Sequence, residues 1–209
     1  MMNLSCLSLY VILDTDYLNS LGKNYFTTLR NCLKGGATCI QLRSKTMTDD
    51  VFYHTALKIQ KICASYKVPL IINDRVAIAV LIHADGVHLG KEDLPYSQVK
   101  KIFKGIIGLS SDNLKEASSL DALHASYIGV GPVYPTEQKN KKAIGIKQMK
   151  LINLSLVTPV VAIGGINEYN IPALKSSGIK YFSFISGILG SKDILAQTKK
   201  VKLVIYHKE

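Results

Sequence analysis

Leu70-Ile71-Ile72-Asn73-Asp74-Arg75 decides the fold: three consecutive apolar residues run into an amide, an acid and a base. A strand that is apolar on both faces fits a parallel sheet covered by helices, because a half-solvated antiparallel strand would alternate. Val160-Val161-Ala162-Ile163 has the same character. Working outward from these two, short β-branched or apolar runs recur at 7–13, 39–42, 70–73, 86–89, 106–110, 127–130, 160–163 and 181–185, eight candidate strands in all. Turn-like polar or glycine elements and longer helix-like stretches separate them. Eight β/α units predict an α/β fold, a closed (β/α)8 barrel of the TIM type, as a single domain over 1–209. That length is close to the lower limit for the fold, about 200 residues, so loops must be short and the helix before Gly86 can have little more than two turns. A doubly wound open sheet is the competing architecture; its edge strands should look amphipathic, and none of these runs does.

The clearest helix is 48–66. Val51, Ala56, Ile59, Ile62 and Cys63 form its expected apolar face, opposite His54, Lys58 and Lys61. Thr48 stands at the N-cap, with Asp49 and Asp50 at the positive end of the helix dipole.

Composition narrows the function. The 209 residues are 47% hydrophobic and 20% charged, which excludes disordered and collagen-like chains. The longest apolar run, Val76 to Ile82, is a third of the roughly 20 residues a bilayer span needs, so no membrane association is expected. The apolar-rich stretch 7–13 lacks the basic flank and cleavage site of a secretion signal. Cys6, Cys32, Cys39 and Cys63 form no C-x-x-C pair; they read as reduced thiols of a cytoplasmic protein. The net charge is +11, but every basic residue except Arg30, Arg43 and Arg75 is lysine, and no basic-aromatic nucleic-acid motif accompanies them. The excess reads as a solvated surface attractive to small anions rather than a nucleic-acid site.

In a barrel of this type the chemistry sits where strands end. After strand two, alternation puts Gln41, Arg43 and Lys45 on one side, a planar fork and a point charge suited to a polyphosphate. Asp74 after strand three and Asp93 after strand four lie on adjacent units, near enough to share Mg²⁺ completed by phosphate oxygens. Read singly, Asp74 is a helix cap beside Arg75, and Glu92 and Asp93 a solvated turn ahead of Pro95. His88 could face into the barrel or outward, and reads best as a hydrogen-bonded structural residue. Gly164-Gly165 after strand seven and Ser186-Gly187 after strand eight stand where such barrels often bind a phosphate through backbone N–H groups. Two anion sites across one mouth imply a two-substrate reaction.

Several motifs occur together and in order: Gln41-Leu42-Arg43-Ser44-Lys45, Asn73-Asp74-Arg75, the stretch from Ala84 to Pro95, Ile107-Gly108-Leu109-Ser110, Tyr127 to Thr136 with its Gly-Pro-x-Tyr-Pro-Thr, and Ala162-Ile163-Gly164-Gly165-Ile166. Over nearly the whole chain they resemble the thiamine phosphate synthase family. The resemblance implies a Mg²⁺-dependent transferase of small-molecule substrates, in which a hydroxymethylpyrimidine diphosphate loses diphosphate and a thiazole phosphate captures the resulting cation. It implies that Gln41, Arg43, Lys45, Asn73 and Ser110 bind the pyrimidine diphosphate, that Asp74 and Asp93 hold Mg²⁺, and that Lys139 reaches the departing diphosphate; Ser110 and Lys139 become the catalytic pair. Thr136, Gly165, Ile185 and Ser186 would receive the thiazole phosphate. The lysine-rich loop 135–145 suits a lid that excludes water. Two positions depart from the family pattern: Gln138 replaces a threonine and should alter the thiazole-phosphate contacts, and Asp112 replaces a frequent histidine. A thiazole tautomerase-like relative and a non-catalytic phosphate- or nucleic-acid-binding barrel are the competing functions; assembly as a homo-oligomer stays open.

Overall fold

The computed structural model describes residues 4–121, 124–136 and 142–207. Eight parallel strands, β1 (Leu9–Asp14), β2 (Cys39–Arg43), β3 (Leu70–Asn73), β4 (Gly86–Leu89), β5 (Ile106–Ser111), β6 (Tyr127–Val130), β7 (Val160–Ala162) and β8 (Tyr181–Phe184), close in sequence order, with β8 beside β1. The expected barrel is the observed one, and all eight strands fall where the apolar runs place them. The ends move slightly. Leu7 belongs to a 3-10 turn (Leu4–Leu7) that runs across the bottom of the barrel, and β7 and β8 each stop one residue early, freeing Ile163 and Ile185 to line the cleft.

Apolarity on both strand faces has a direct cause. Outward residues such as Val11, Leu42, Ile72, Leu109 and Phe184 pack with the helices in one continuous core. Inward residues at the lower end, Tyr10, Cys39, Ile71, Ile106, Tyr127 and Val161, form a second cluster with Leu7 that fills the barrel's base. Neither face meets water, so neither alternates.

The helix predicted over 48–66 runs from Asp49 to Ser65, and Thr48 Oγ1 accepts from the Val51 amide at 3.4 Å. Its buried face corrects one expectation. Val51 is 48% exposed, and Phe52 lies fully inside with Ala56, Ile59 and Cys63, while Ile62 is half-buried. Phe52 sets the face because the Arg75 guanidinium covers its ring at 4.4 Å while donating to Asp49 Oδ1 at 2.7 Å, joining this helix to the end of β3. The helix before Gly86 has six residues, Val76–Leu81, as the short chain requires. The outer ring closes where the final helix (Ile194–Tyr206), capped by Asp193, packs on the helix Tyr25–Gly35. No helix among the described residues is long and apolar enough to cross a membrane.

Candidate active site

The residues singled out at strands two to five do converge. β1 and β2 pair Asp14 with Arg43, and the Arg43 guanidinium donates to the Asp14 carboxylate, which is 2% exposed. Asp16 anchors the loop that follows β2: its carboxylate accepts from Ser44 Oγ at 2.9 Å and from the Lys45 amide and Thr46 Oγ1 at 2.5 Å each. Burial alone would raise its pKa, but the hydrogen bonds from Thr46, Lys45 and Ser44 outweigh burial and hold it below the ordinary carboxylate value. This loop therefore delivers Lys45, whose ammonium donates to Asp74 Oδ2.

Asp74 is not a helix cap. The N-cap of the following helix is Arg75, and Asp74 adopts φ +61°, a left-handed conformation that aspartate tolerates better than most residues. Its amide donates to the His88 carbonyl at 2.9 Å, which ties the end of β3 to β4. Asp93 closes the turn after β4 by accepting from the Gly90 amide at 2.6 Å and brings its carboxyl into hydrogen-bonding range of Asp74. The two titrate apart. Burial raises both, but the hydrogen bonds from Asp93 and Lys45 bring Asp74 below the ordinary range, while burial and the facing Asp74 push Asp93 above it. Two facing carboxylates beside a cation make a hard oxygen donor set. Such a pair could hold Mg²⁺, an ion usually completed by water and phosphate oxygens; among the described residues no third Asp, Glu, His or Cys joins them.

Beside this cluster, at the strands' C-terminal ends, the barrel opens into a cleft. Asp14, Gln41, Arg43, Asn73, His88 and Ser110 line one part, and Thr136, Gly164, Gly165, Ile185, Ser186 and Gly187 line the rest. Lys45 and Asp74 do not line it, though Arg43 and Asn73 just before them in the chain do, and Asp93 lines an adjoining hollow that shares Ser110 with the cleft. On the second side the backbone shapes the wall. Gly164 and Gly165 have φ +91° and +67°, and a Cβ on Gly165 would press on Tyr134 Cβ at 2.6 Å and the Pro135 carbonyl at 2.7 Å. Only glycine permits that double turn against the segment 132–135. Gln138 and Lys139, with the middle of the expected lid, lie outside the described residues.

His88 faces inward. Gln41 Nε2 donates to Tyr10 Oη at 2.5 Å, Tyr10 Oη meets Tyr127 Oη at 2.9 Å, Tyr127 Oη meets His88 Nδ1 at 2.9 Å, and His88 Nε2 meets Ser110 Oγ at 2.9 Å. Burial and their mutual proximity raise the Tyr10 pKa, and burial raises that of Tyr127, so both phenols keep their single proton. Gln41 donates into this chain, which runs through both phenols and His88 to the Ser110 hydroxyl at the cleft. Gly108 makes room for this chain, since a Cβ there would overlap the Tyr127 ring.

A family model described as thiamine monophosphate synthase matches residues 9–188. The chain belongs to this family. It is 40% identical over 189 residues to the thiamine-phosphate synthase of Clostridium acetobutylicum, covering 89% of each chain, and 38% identical over 202 residues to that of Persephonella marina, covering 95% of this chain and 96% of the relative. The solved thiamine phosphate pyrophosphorylase from Pyrococcus furiosus superposes with a TM-score of 0.90 at 34% identity, over 97% of this chain and 98% of the other.

Against the family pattern, Asp112 is the informative departure. Lys91 Nζ reaches Asp112 Oδ2 at 2.6 Å and Glu116 at 2.8 Å, so the acid is drawn into a salt bridge between the loops after β4 and β5. Sequence reasoning passed over Asp14, Asp16, Tyr10 and Tyr127. The two acids stand at and just beyond the end of β1, where the strand-end rule used for β2 to β4 would have found them; the tyrosines carry no such signal, being apolar core positions until their hydroxyls are seen to meet.

Proposed function

We propose that this chain is a transferase of thiamine biosynthesis that joins hydroxymethylpyrimidine diphosphate to a thiazole phosphate, giving thiamine phosphate and diphosphate. The observation that carries the reading is Lys45 held on Asp74 beside Asp93, just after the cleft-lining residues Arg43 and Asn73, with the Gly164-Gly165 turn on the cleft's other wall. In this reading Asp74 and Asp93 hold Mg²⁺, which when bound neutralises the diphosphate as it leaves. Arg43 and Lys45 bind the same anion, and Gln41, Asn73 and Ser110 orient the pyrimidine beneath it. The carbon–oxygen bond to diphosphate breaks with its electron pair going to oxygen, and the thiazole nitrogen donates its lone pair to the pyrimidine methylene, forming the carbon–nitrogen bond. No protein nucleophile takes part; the residues position, and stabilise charge where it develops. Thr136, Gly165, Ile185 and Ser186 receive the thiazole phosphate, and Lys139 assists the departing diphosphate.

A thiazole tautomerase would need a histidine at Asp112, which here is committed to Lys91. A cytoplasmic setting is supported by the free cysteines, three of them buried, with burial pushing Cys32 and Cys63 up to about 12. The test is incubation of the purified chain with both precursors and Mg²⁺. Thiamine phosphate should form only when all three are present; its absence with both precursors and the metal refutes the reading.

A further inference from the structure

β8 carries an anomaly that the proposed reaction has not used. Ser183 is 3% exposed, and its Oγ has no hydrogen-bond partner among the described residues. Its neighbours Phe182 and Phe184 point outward into the helix-packed core, so alternation turns Ser183 inward, where it lines the floor of the cleft. A buried hydroxyl left unbonded loses its hydration and gains nothing in return, so a serine between two phenylalanines of a core strand is unfavourable unless something in the cleft bonds to it.

We propose that Ser183 is a substrate-contacting residue that hydrogen-bonds the pyrimidine half of the diphosphate substrate. The proposal rests on the function given above and deepens it. Strands β4 and β8 are four apart in a closed ring of eight, so Ser183 stands across the barrel from His88 and the Ser110 hydroxyl it orients. A flat ring between these walls is gripped from both sides. The two substrates differ in what they offer a deep hydroxyl. The thiazole has one ring nitrogen, which must keep its lone pair for bond formation, and a hydroxyl on it would block the reaction. The aminopyrimidine offers two ring nitrogens that accept and an amine that donates, and a serine can serve either.

The experiment compares wild type, Ser183→Ala and Ser183→Thr in steady-state assays with each precursor varied, together with melting of the ligand-free proteins. Ser183→Ala should raise KM for the pyrimidine diphosphate about three- to tenfold, the span of one neutral hydrogen bond, and leave KM for the thiazole phosphate within about twofold. Its melting temperature should not fall, because the hydroxyl bonds nothing among the described residues, and Ser183→Thr should recover part of the lost affinity. Unchanged KM for the pyrimidine diphosphate, a rise for the thiazole phosphate instead, or a lowered melting temperature with intact kinetics would each overturn the assignment. Failure of this idea alone appears as an active wild type with an equally active Ser183→Ala; an inactive wild type refutes the parent reading and this one with it.

Discussion

The two sides of the barrel mouth are built in opposite ways. At the ends of β1 to β4, charged side chains face one another: Arg43 is bound to Asp14 and Lys45 to Asp74, with Asp93 close enough to Asp74 for the two carboxyls to shift each other's pKa. After β7 and β8 the wall is made of backbone and small residues, Gly164, Gly165, Ser186 and Gly187, and among the described residues no charged side chain lines that part of the cleft. The first side can rearrange its charge, which suits an anion whose charge grows as it departs; the second is a fixed cradle suited to a phosphate that only has to be held. The contrast teaches that a site's tolerance to mutation depends on which means it uses. Side chains can be removed singly, but a glycine turn fails as a unit.

The largest expected effect is on the charged side. Asp93→Ala or Asp74→Ala should lower Mg²⁺-dependent turnover about a hundredfold or more while circular dichroism stays native; normal turnover with ordinary magnesium dependence would remove these carboxylates from the reaction. Next comes the floor beneath both sides. Gly108→Ala drives a methyl into the Tyr127 ring and should cost about 1–3 kcal/mol in urea unfolding, and because Tyr127 links Gln41 to Ser110 it should worsen KM for the pyrimidine diphosphate. A stable variant with native constants would mean the ring is free to move. Lys45→Ala should then separate the sides, raising KM for the pyrimidine diphosphate about tenfold and sparing that for the thiazole phosphate. The reverse pattern would show the two anion sites exchanged.

The smallest effect concerns the Lys91 bridge. Lys91→Ala should raise the magnesium requirement about threefold, because the loop carrying Asp93 loses its tie to Asp112 and Glu116. Burial would raise the Glu116 pKa, but Lys91 and the Asp112 amide outweigh it and hold the carboxyl below its ordinary value of about 4.5. A depressed folded pKa stabilises above the unfolded value and is lost as pH falls through the folded one, so any stability deficit of Glu116→Gln at pH 7 should shrink below about pH 4. A deficit that persists at pH 3 would show that the bridge is not electrostatic.

Eight strands were legible because both faces of each are buried, which leaves a run of apolar residues rather than a pattern needing a reference face. Strand-end chemistry was legible for the same reason: charge next to such a run, as at Asn73-Asp74-Arg75, has to be explained by something outside the core. Phe52 in place of Val51 on the buried helix face was not, since the packing partner that decides it, Arg75, comes from a different unit of the fold. Nor was the inward direction of His88, because alternation allows two phases and only the pairing of β4 with β3 and β5 selects one. Ser183 was hidden between two phenylalanines in a strand read as simply apolar.

The turn at Leu4–Leu7, with Tyr10 and Tyr127 above it, stoppers the barrel at its far end. Traffic therefore has one doorway. A molecule seated against the floor cannot leave while another is seated above it, so whichever precursor sits deeper has to arrive first, and a sufficient excess of the second should slow the enzyme by queueing ahead of its partner.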